Sequence, residues 1–527
     1  MSKDINLRLS PLQAADNEAI KDAVAAELGV KKSDVDSFVI IRKSIDARQK
    51  KIWVNLTVRV SLANEDVPEP NYRETIFKKI SPDAPVVLIV GAGPAGLFAA
   101  LRAVELGMKP IVFERGKDVE TRLRDLARIQ REGKINPDSN FCYGEGGAGA
   151  YSDGKLFTRS KKRGNVKEIL DLLYQHGASE KILYESHPHI GSDKLPRIIK
   201  NIRDTIIECG GEIKFQTRFE KLILREGKAV GLITDDGSEY FGPVVLATGH
   251  SASDVYKSLN AQKIKLEEKG FAMGVRVEHP QELINRIQYH NPSKEVAQYL
   301  PNAEYSYSCQ VDGRGVYTFC MCPGGVIVPA GTATDELVVN GMSASGRSSK
   351  WANSACVVEI RPEDIPERNS GNPLRMLDFQ KSLEKKFFEA AGNSIKAPAQ
   401  RIHDFISGKE SETLPKTSYV CGIQPAKMDE ILPEFISRRL KKGFKIFDSR
   451  HRGFLTNEGC MIGLESRTSS PVRIPRNRDT LQHIFCPGLF PCGEGAGYAG
   501  GIVSSAIDGR RVVDSIKNNF YKTDNDS

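Results

Sequence analysis

An apolar run that ends in a glycine-rich turn limits what the middle of this chain can fold into. Residues 86–96 read VVLIVGAGPAG. The first five are apolar on both faces, which is typical of a central strand in a parallel sheet. The three glycines permit a tight turn, a close approach of backbone to phosphate, and close helix–strand packing. The pattern predicts a strand, a turn and a helix N-terminus that binds the phosphates of a dinucleotide. The residues assigned to this binding are Gly91, Gly93, Pro94, Ala95 and Gly96.

A second apolar strand follows the predicted helix and ends in an acid. Residues 110–114 read PIVFE. An acid at this distance from the glycines accepts hydrogen bonds from ribose hydroxyls, which is the role predicted for Glu114. Its charge also argues against a ribose 2′-phosphate at the same place. Arg115 follows directly and is a further candidate cofactor contact whose role stays open. NAD and FAD both fit this pattern.

Two later segments distinguish between these nucleotides. Residues 244–249 read VVLATG, and residues 489–509 read LFPCGEGAGYAGGIVSSAIDG. They resemble the glutathione-reductase-like FAD family, in which an Ala-Thr-Gly segment passes the adenine half of FAD. In that family a Gly-acid turn reaches the ribityl–pyrophosphate region, and the next helix directs its N-terminus at the flavin. The resemblance implies FAD contacts from Ala247, Thr248, Gly249, Gly493, Glu494, Gly500, Gly501 and Ile502.

A third glycine-rich loop, residues 143–155, reads YGEGGAGAYSDGK. The same family runs such a loop past the flavin ring, and many glycines suit a backbone that must pass close to a flat ring. The alternative is a flexible surface loop. The residues expected to contact FAD are Gly147, Ala148, Gly149, Asp153, Gly154 and Lys155.

These motifs, together with FCMCPGG at residues 319–325, resemble a largely uncharacterised family of bacterial FAD-dependent dehydrogenases over nearly the whole chain. The resemblance implies non-covalent FAD and an α/β fold. That fold would hold a glutathione-reductase-like FAD-binding Rossmann domain, an inserted β-rich α+β substrate domain and a small N-terminal ferredoxin-like α+β module. The family supplies no assured substrate.

The chain divides into predicted units at the points where the pattern of its sequence changes. The N-terminal residues follow a β-α-β-β pattern, prolines and charges then indicate a linker, and Gly/Pro-separated strands interrupt the nucleotide fold. The predicted units are the module at 1–65, the linker at 66–85, the FAD domain at 86–270 and 471–515, the inserted substrate domain at 271–470, and a frayed polar tail at 516–527.

Ten cysteines occur, and none forms a CxxC pair. The Cys-x4-Cys pair of disulfide reductases is also missing, which disfavours their chemistry. On a regular strand Cys320 and Cys322 would share one face, because side chains alternate. They are candidate catalytic residues in contact with substrate or flavin, and the alternative is two small residues that pack a sheet.

Composition excludes several other classes of protein. The sequence has no apolar run long enough to span a membrane and no N-terminal signal core, which predicts a cytoplasmic protein. The net charge is +8, and basic clusters occur without a nucleic-acid motif, so nucleic-acid binding is not expected. His187 and His189 lack the further ligands that a metal site needs, and none is predicted.

The sequence therefore predicts an FAD-dependent oxidoreductase that passes hydride or electrons through flavin N5 to or from an unidentified small-molecule substrate. No second GxGxxG follows a strand, so NAD(P)H is expected only as a transient reductant, and a protein redox partner is a further candidate. Two alternatives stay open: a flavin-dependent RNA-modifying enzyme, and a non-enzymatic redox sensor or scaffold that docks a protein through residues 1–65.

Overall fold

The computed structural model describes residues 3–62, 72–158, 164–366 and 371–521. Its N-terminal module is a three-stranded antiparallel sheet with one helix, in the β-α-β-β order that the sequence predicts, and β3 lies between β1 and β2. The described residues hold no second helix and fourth strand, so the ferredoxin-like assignment stays a prediction. The elements are β1 (Lys3–Leu9), α1 (Asn17–Leu28), β2 (Val35–Asp46) and β3 (Trp53–Leu62).

The next part of the chain alternates strands and helices and then forms a three-stranded antiparallel sheet, β7-β8-β9. The elements are β4 (Val86–Val90), α2 (Pro94–Glu105), β5 (Lys109–Phe113), α3 (Val119–Glu132), α4 (Val166–Gln175), α5 (Lys181–Tyr184), α6 (Leu195–Glu208), β6 (Glu212–Lys214), β7 (Phe219–Arg225), β8 (Lys228–Thr234), β9 (Glu239–Phe241), β10 (Val244–Leu246), α7 (Ser253–Ala261) and β11 (Glu267–Glu268).

Between residues 271 and 465 most strands join one seven-stranded sheet in the order β13-β14-β17-β12-β20-β18-β19, while β15 and β16 pair separately. The elements are β12 (Phe271–Pro280), α8 (Gln281–Tyr289), α9 (Lys294–Ala297), β13 (Ser308–Val311), β14 (Arg314–Cys322), β15 (Val326–Pro329), β16 (Val339–Met342), β17 (Trp351–Ile360), α10 (Arg375–Ala390), β18 (Ala397–Arg401), α11 (Ile402–Ser407), β19 (Ile423–Pro425), α12 (Met428–Ile431), α13 (Glu434–Arg450) and β20 (Cys460–Glu465).

The C-terminal elements return to the first sheet. β21 (Val472–Arg473) pairs with β11 at the base of the inserted sheet, and β22 (Leu489–Pro491) joins a five-stranded parallel sheet in the order β22-β10-β4-β5-β6. The last helix, α14 (Ile502–Asn519), shares a buried core with α2. The fold is thus mixed α/β with a central parallel sheet. Within the described ranges, no helix is both long and apolar enough to cross a membrane.

The C-terminus corrects one prediction. Residues from 516 were expected to form a frayed tail, yet α14 continues to Asn519 and Ile516 is fully buried. Phe520 and Tyr521 also pack on the core, and the Tyr521 hydroxyl donates to the carbonyl of Val86. These apolar residues continue the buried face of the helix, so the prediction was wrong for 516–521. Residues 522–527 lie outside the described part of the chain.

The N-terminal module packs against the inserted unit, the part of the chain between residues 271 and 465 that carries the seven-stranded sheet. Ile52 is 5% exposed and belongs to the hydrophobic core around the seven-stranded sheet, and Ile45 contacts both this core and that of the module. His290 hydrogen-bonds the carbonyl of Ala47 across the same junction. The module is therefore held by apolar burial as well as by its connecting segment.

Truncation of Ile52 to alanine tests this junction. We expect Ile52→Ala to lower the free energy of unfolding by about 2–5 kcal/mol, because it removes buried methyl groups and leaves a cavity. Ile76→Ala is the matched control: Ile76 is 77% exposed, and its truncation should change the same quantity by less than about 0.5 kcal/mol. Chemical denaturation measures both. Equal effects of the two substitutions would show that the junction contributes no stability.

Candidate functional site

A cavity of about 1060 Å³ lies between the parallel sheet and the seven-stranded sheet. One wall consists of the segments that follow β4, β5, β10 and β22, and the other consists of residues from the inserted unit. Ligands of open α/β sheets bind in the crevice beyond the carboxyl ends of the strands. The cavity therefore lies where the sequence predicts a dinucleotide.

Backbone packing at the first glycine turn is too tight for side chains. Gly91 has a φ of +101°, and a Cβ atom there would lie 2.5 Å from the carbonyl oxygen of Ala247. At Gly96 a Cβ would overlap the carbonyl of Gly91. Gly93 differs, because the nearest atom to its Cβ position is the Cα of Gly147 at 3.9 Å, across the cavity wall. Gly93 therefore keeps space free for a ligand, while the other two permit packing.

Two helices begin at the cavity with a glycine N-cap and without a side-chain cap. Gly93 is the N-cap of α2 and Gly501 is the N-cap of α14, and neither helix end receives a side-chain hydrogen bond. Both N-caps line the cavity, as do Pro94 and Ile502. The first N–H groups of a helix have no partner within it, and its N-terminus carries a partial positive charge. The cavity thus offers two places that favour anionic or electron-rich groups.

Glu114 and Arg115 both line the cavity, and both are held by neighbours. The Glu114 carboxylate accepts from the backbone N–H groups of Ala92 and Gly116 at 2.9 Å and of Gly144 at 3.0 Å. A carboxylate has about four acceptor sites, so hydrogen bonds from a ribose can still be added. Arg115 is ion-paired with two aspartates, Asp138 and Asp254, and its guanidinium lies over the ring of Tyr143.

The third glycine-rich loop is fixed by residues that the sequence analysis missed. Arg122, which is fully buried, donates to the carbonyl groups of Asn140, Glu145 and Gly147. Glu145 accepts from the N–H of Val119 at 2.9 Å and is also paired with an arginine of α6. The loop is therefore an ordered wall of the cavity. Arg122 carries no local signal in the sequence, because the helix around it is rich in surface-like charges.

Asp153 and Lys155 form part of a four-membered ion network. Asp153 accepts two hydrogen bonds from Arg347, at 3.0 and 2.6 Å, and lies 2.5 Å from the Lys155 ammonium group. Arg347 also pairs with Glu304 at 2.8 Å. Lys155 donates to the carbonyl of Met321, between the two candidate cysteines. The loop is thereby joined directly to the inserted sheet.

Glu494 contributes a carboxylate without a hydrogen-bond partner among the described residues. It lines the cavity, and burial raises its pKa to about 7. A partially buried carboxylate without a partner is costly unless a ligand donates to it. The adjacent Gly493 has its N–H bonded to Asp508, and its Cβ position faces Ala95 rather than the cavity.

Cys320 and Cys322 both line the cavity, but the predicted strand geometry is wrong at this point. The register of β14 against β17 shifts between Phe319 and Cys322, and Cys320 has a φ of +45°. This β-bulge breaks the alternation of side chains, so Cys320 is exposed at the cavity wall whereas Cys322 is buried. The thiol lies inside the cavity, where it is removed from bulk solvent, and this desolvation raises its pKa to about 12, which keeps it protonated.

A buried arginine stabilises the bulge through hydrogen bonds. Arg276 is fully buried and donates to the carbonyl of Cys320 at 2.7 Å and to the sulfur of Cys322 at 3.4 Å. It is paired with Glu465 at 3.2 Å, and Glu465 lines the cavity. Neither residue is predicted from the sequence, because their pairing joins two strands that are far apart in the chain.

A second ion network and a histidine complete the inner wall. Arg467 pairs with Glu336 at 2.6 Å and with Glu384 at 2.8 Å, and Lys381 bridges the same two carboxylates. His250 also lines the cavity, and burial, with the charge of Arg467 adding to it, lowers its pKa to about 4. The imidazole is therefore neutral. This network is likewise not predicted from the sequence.

The cavity brings together most of the residues that the sequence predicts as cofactor contacts, from five separate stretches of chain. Gly96 and Gly493 do not line it and instead permit close packing behind the wall. The predicted residues that line the cavity are Gly91, Gly93, Pro94, Ala95, Glu114, Arg115, Gly147, Ala148, Gly149, Asp153, Gly154, Lys155, Ala247, Thr248, Gly249, Glu494, Gly500, Gly501 and Ile502, with Cys320 and Cys322.

Comparison with known proteins finds a relative that matches nearly the whole chain. An uncharacterized protein of Clostridium beijerinckii is 40% identical over 536 residues, covering 98% of this chain and 98% of that protein. The chain belongs to the family of this clostridial protein. Residues 270–468 match the family model of the FAD-dependent protein, C-terminal domain-like, and residues 1–61 match a domain of unknown function, DUF8436.

Solved structures overlap with the chain only loosely. The tetracycline destructase Tet(51) is 12% identical, with 84% of this chain and 83% of that chain covered at a TM-score of 0.33. CtdE in complex with FAD is also 12% identical, with 82% and 88% covered at a TM-score of 0.30.

The cavity fits the FAD that the family model names. Gly93 leaves space where a pyrophosphate must approach backbone, two uncapped helix N-termini face that space, and the Glu494 carboxylate lacks a donor. Gly93, Pro94 and Ala95 would hold the pyrophosphate, Glu114 the ribose hydroxyls, and Glu494 the ribityl region. The residues of the cavity thus include carboxylate acceptors for hydroxyl groups and backbone N–H donors for phosphates.

Replacement of Gly93 by valine tests this assignment. We expect Gly93→Val to fold, because its φ of −75° is ordinary and no protein atom lies within 3.9 Å of the Cβ position. The valine would nevertheless fill the space for the pyrophosphate, so the purified protein should lose its flavin. Released nucleotide per chain is the measurement.

Gly346→Val is the matched control, because Gly346 is exposed, has open space around it and does not line the cavity. It should keep the flavin content of the native protein. A folded Gly93→Val protein with full flavin content would contradict the assignment.

Proposed function

We propose that this protein is an FAD-dependent oxidoreductase. The proposal is carried by one observation: a single cavity joins the glycine turns and helix N-termini of a dinucleotide fold to the inserted unit that matches FAD-dependent proteins. FAD supplies transfer of a hydride or of single electrons when it is bound. The protein would bind the cofactor, exclude water from the flavin and orient the substrate.

A glutathione-reductase-like arrangement of the FAD domain is the finer proposal. It is supported by the five-stranded parallel sheet together with the antiparallel β7-β8-β9 sheet, and by the return of β22 and α14 to the first glycine turn. In this arrangement the uncapped N-terminus of α14 would lie near the flavin and stabilise negative charge on the reduced ring. NAD(P)H as a transient reductant stays a prediction.

Cys320 is the candidate for substrate contact within this function. The bulge directs its thiol to the cavity, whereas the Cys322 sulfur accepts a hydrogen bond from Arg276 and supports the wall. Bulges next to active sites commonly re-aim a side chain in this way. As a protonated thiol, Cys320 would donate a hydrogen bond or a proton rather than act as a thiolate nucleophile.

Identification of the bound nucleotide tests the proposed function. The purified protein should be yellow and should release one FAD per chain on denaturation, without a covalent link. Anaerobic reduction should bleach the flavin absorbance, and an added electron acceptor should restore it. Release of FMN or NAD, or a protein that stays colourless after incubation with FAD, would overturn the proposal.

The pH dependence of alkylation tests the state of Cys320. Since only the thiolate reacts and its pKa is raised to about 12, the rate of modification by iodoacetamide should rise about tenfold for each pH unit, without a plateau up to about pH 10. With an ordinary thiol, the rate of modification would reach a plateau at about pH 9. Peptide mass spectrometry of native protein measures the rate, and Cys320→Ser identifies the peptide. A plateau at the ordinary pKa would contradict the protonated-thiol assignment.

A further inference from the structure

The cationic side chains of the cavity are all neutralised by carboxylates. Among the described residues, four cations line it, and each is in an ion pair. Arg115 and Arg218 share Asp138, and Arg115 is also paired with Asp254. The cations are Arg115, Lys155, Arg218 and Arg467.

The other two cations belong to networks in which positive and negative groups are equal in number. Lys155 and Arg347 face Asp153 and Glu304. Arg467 and Lys381 face Glu336 and Glu384. Burial opposes ionisation of Glu336, yet the charges of Arg467 and Lys381 hold its pKa at about 2, so this carboxylate is charged at neutral pH.

Apart from the paired charges of Glu304, Glu465 and Arg467, the inserted unit and the segment that directly follows it line the cavity with uncharged residues, most of them aromatic or apolar. The uncharged polar ones are Ser306, Ser308, Gln310, Thr318, Asn340 and Thr468. Tyr305 and Tyr307 are stacked with ring centroids 4.6 Å apart, and Tyr317 and Phe319 lie along the same wall. Uncharged hydrogen-bonding groups are available from neutral His250 and from Asn340. Such a wall binds apolar surface and fixes its orientation through a few polar groups.

We infer that the substrate region takes an uncharged, largely apolar molecule. An anion that enters would lose its hydration and would find no surplus cation to replace it, which is costly in a buried site. A cation would also lose its hydration, and it would find no unpaired carboxylate on this wall, because Glu304 and Glu465 are already in ion pairs with arginines. The inference rests on the proposed function, because the wall that carries the glycine turns and the unpaired Glu494 carboxylate is assigned to FAD and not to the substrate.

Three probes of similar size test the inference: benzamide, benzoate and benzylamine, which are neutral, anionic and cationic at neutral pH. Their affinities for the FAD-loaded protein can be measured by ligand-observed NMR. Benzamide should bind at least about tenfold more tightly than benzoate or benzylamine, a difference of about 1.4 kcal/mol. Flavin content is measured on the same samples, so a failure of the proposed function is seen separately, as missing FAD.

Glu336→Gln locates the effect in this cavity. It removes one negative charge beside Arg467 while its amide keeps the size of the side chain, so benzoate should bind severalfold more tightly than to the native protein, and benzamide should not change. Asp4→Asn is the matched control, because it removes one negative charge from the pair with Arg59 in the N-terminal module. It should leave all three affinities unchanged.

Equal or tighter binding of benzoate or benzylamine by the native protein would overturn the inference. So would an unchanged benzoate affinity in Glu336→Gln, an equal response of Asp4→Asn, or no binding of benzamide to protein that carries FAD.

Discussion

The structure depends on close backbone packing at the carboxyl ends of β4, β10 and β22. Glycine at three positions lets the first turn, the Ala-Thr-Gly segment and the C-terminal helix approach one another more closely than side chains allow: Gly91 against Ala247, Gly495 against Gly249, and Gly509 against Ala95. Distant parts of the chain therefore form one wall. That wall is built largely from backbone, which leaves helix N–H groups facing the cavity instead of side chains.

The opposite wall has a different physical basis. Most of its charged side chains are buried, and buried ions are costly unless they are paired and hydrogen-bonded. The ion pair between Asp153 and Arg347 joins a loop of the nucleotide fold to the inserted unit. The ion pair between Arg467 and Glu384 joins the end of the seven-stranded sheet to α10. The same pairs thus position the two units relative to each other and leave the cavity without surplus positive charge.

Local patterns were sufficient to predict β4, α2, β5 and α14, because each combines an apolar run with a glycine signal nearby in the sequence. They could not predict the bulge at Cys320, which arises from the register between β14 and β17 rather than from the sequence around the cysteine. The burial of Arg122 could not be predicted from local sequence either, since it depends on a later loop whose carbonyl groups surround its guanidinium. Features that depend on contacts between distant segments therefore limited the prediction.

Backbone hydrogen bonds link the N-terminal module to a segment that lines the cavity. None of its described residues line the cavity, but the N–H of Ser186 donates to the carbonyl of Lys43 in β2. The next residue, His187, lines the cavity, and Pro188 accepts from the N–H of Leu156. Backbone hydrogen bonds therefore run from β2 to the loop that carries Lys155. A module without any residue in the cavity can still fix the position of a side chain beside Cys320, because rigid backbone contacts transmit its placement.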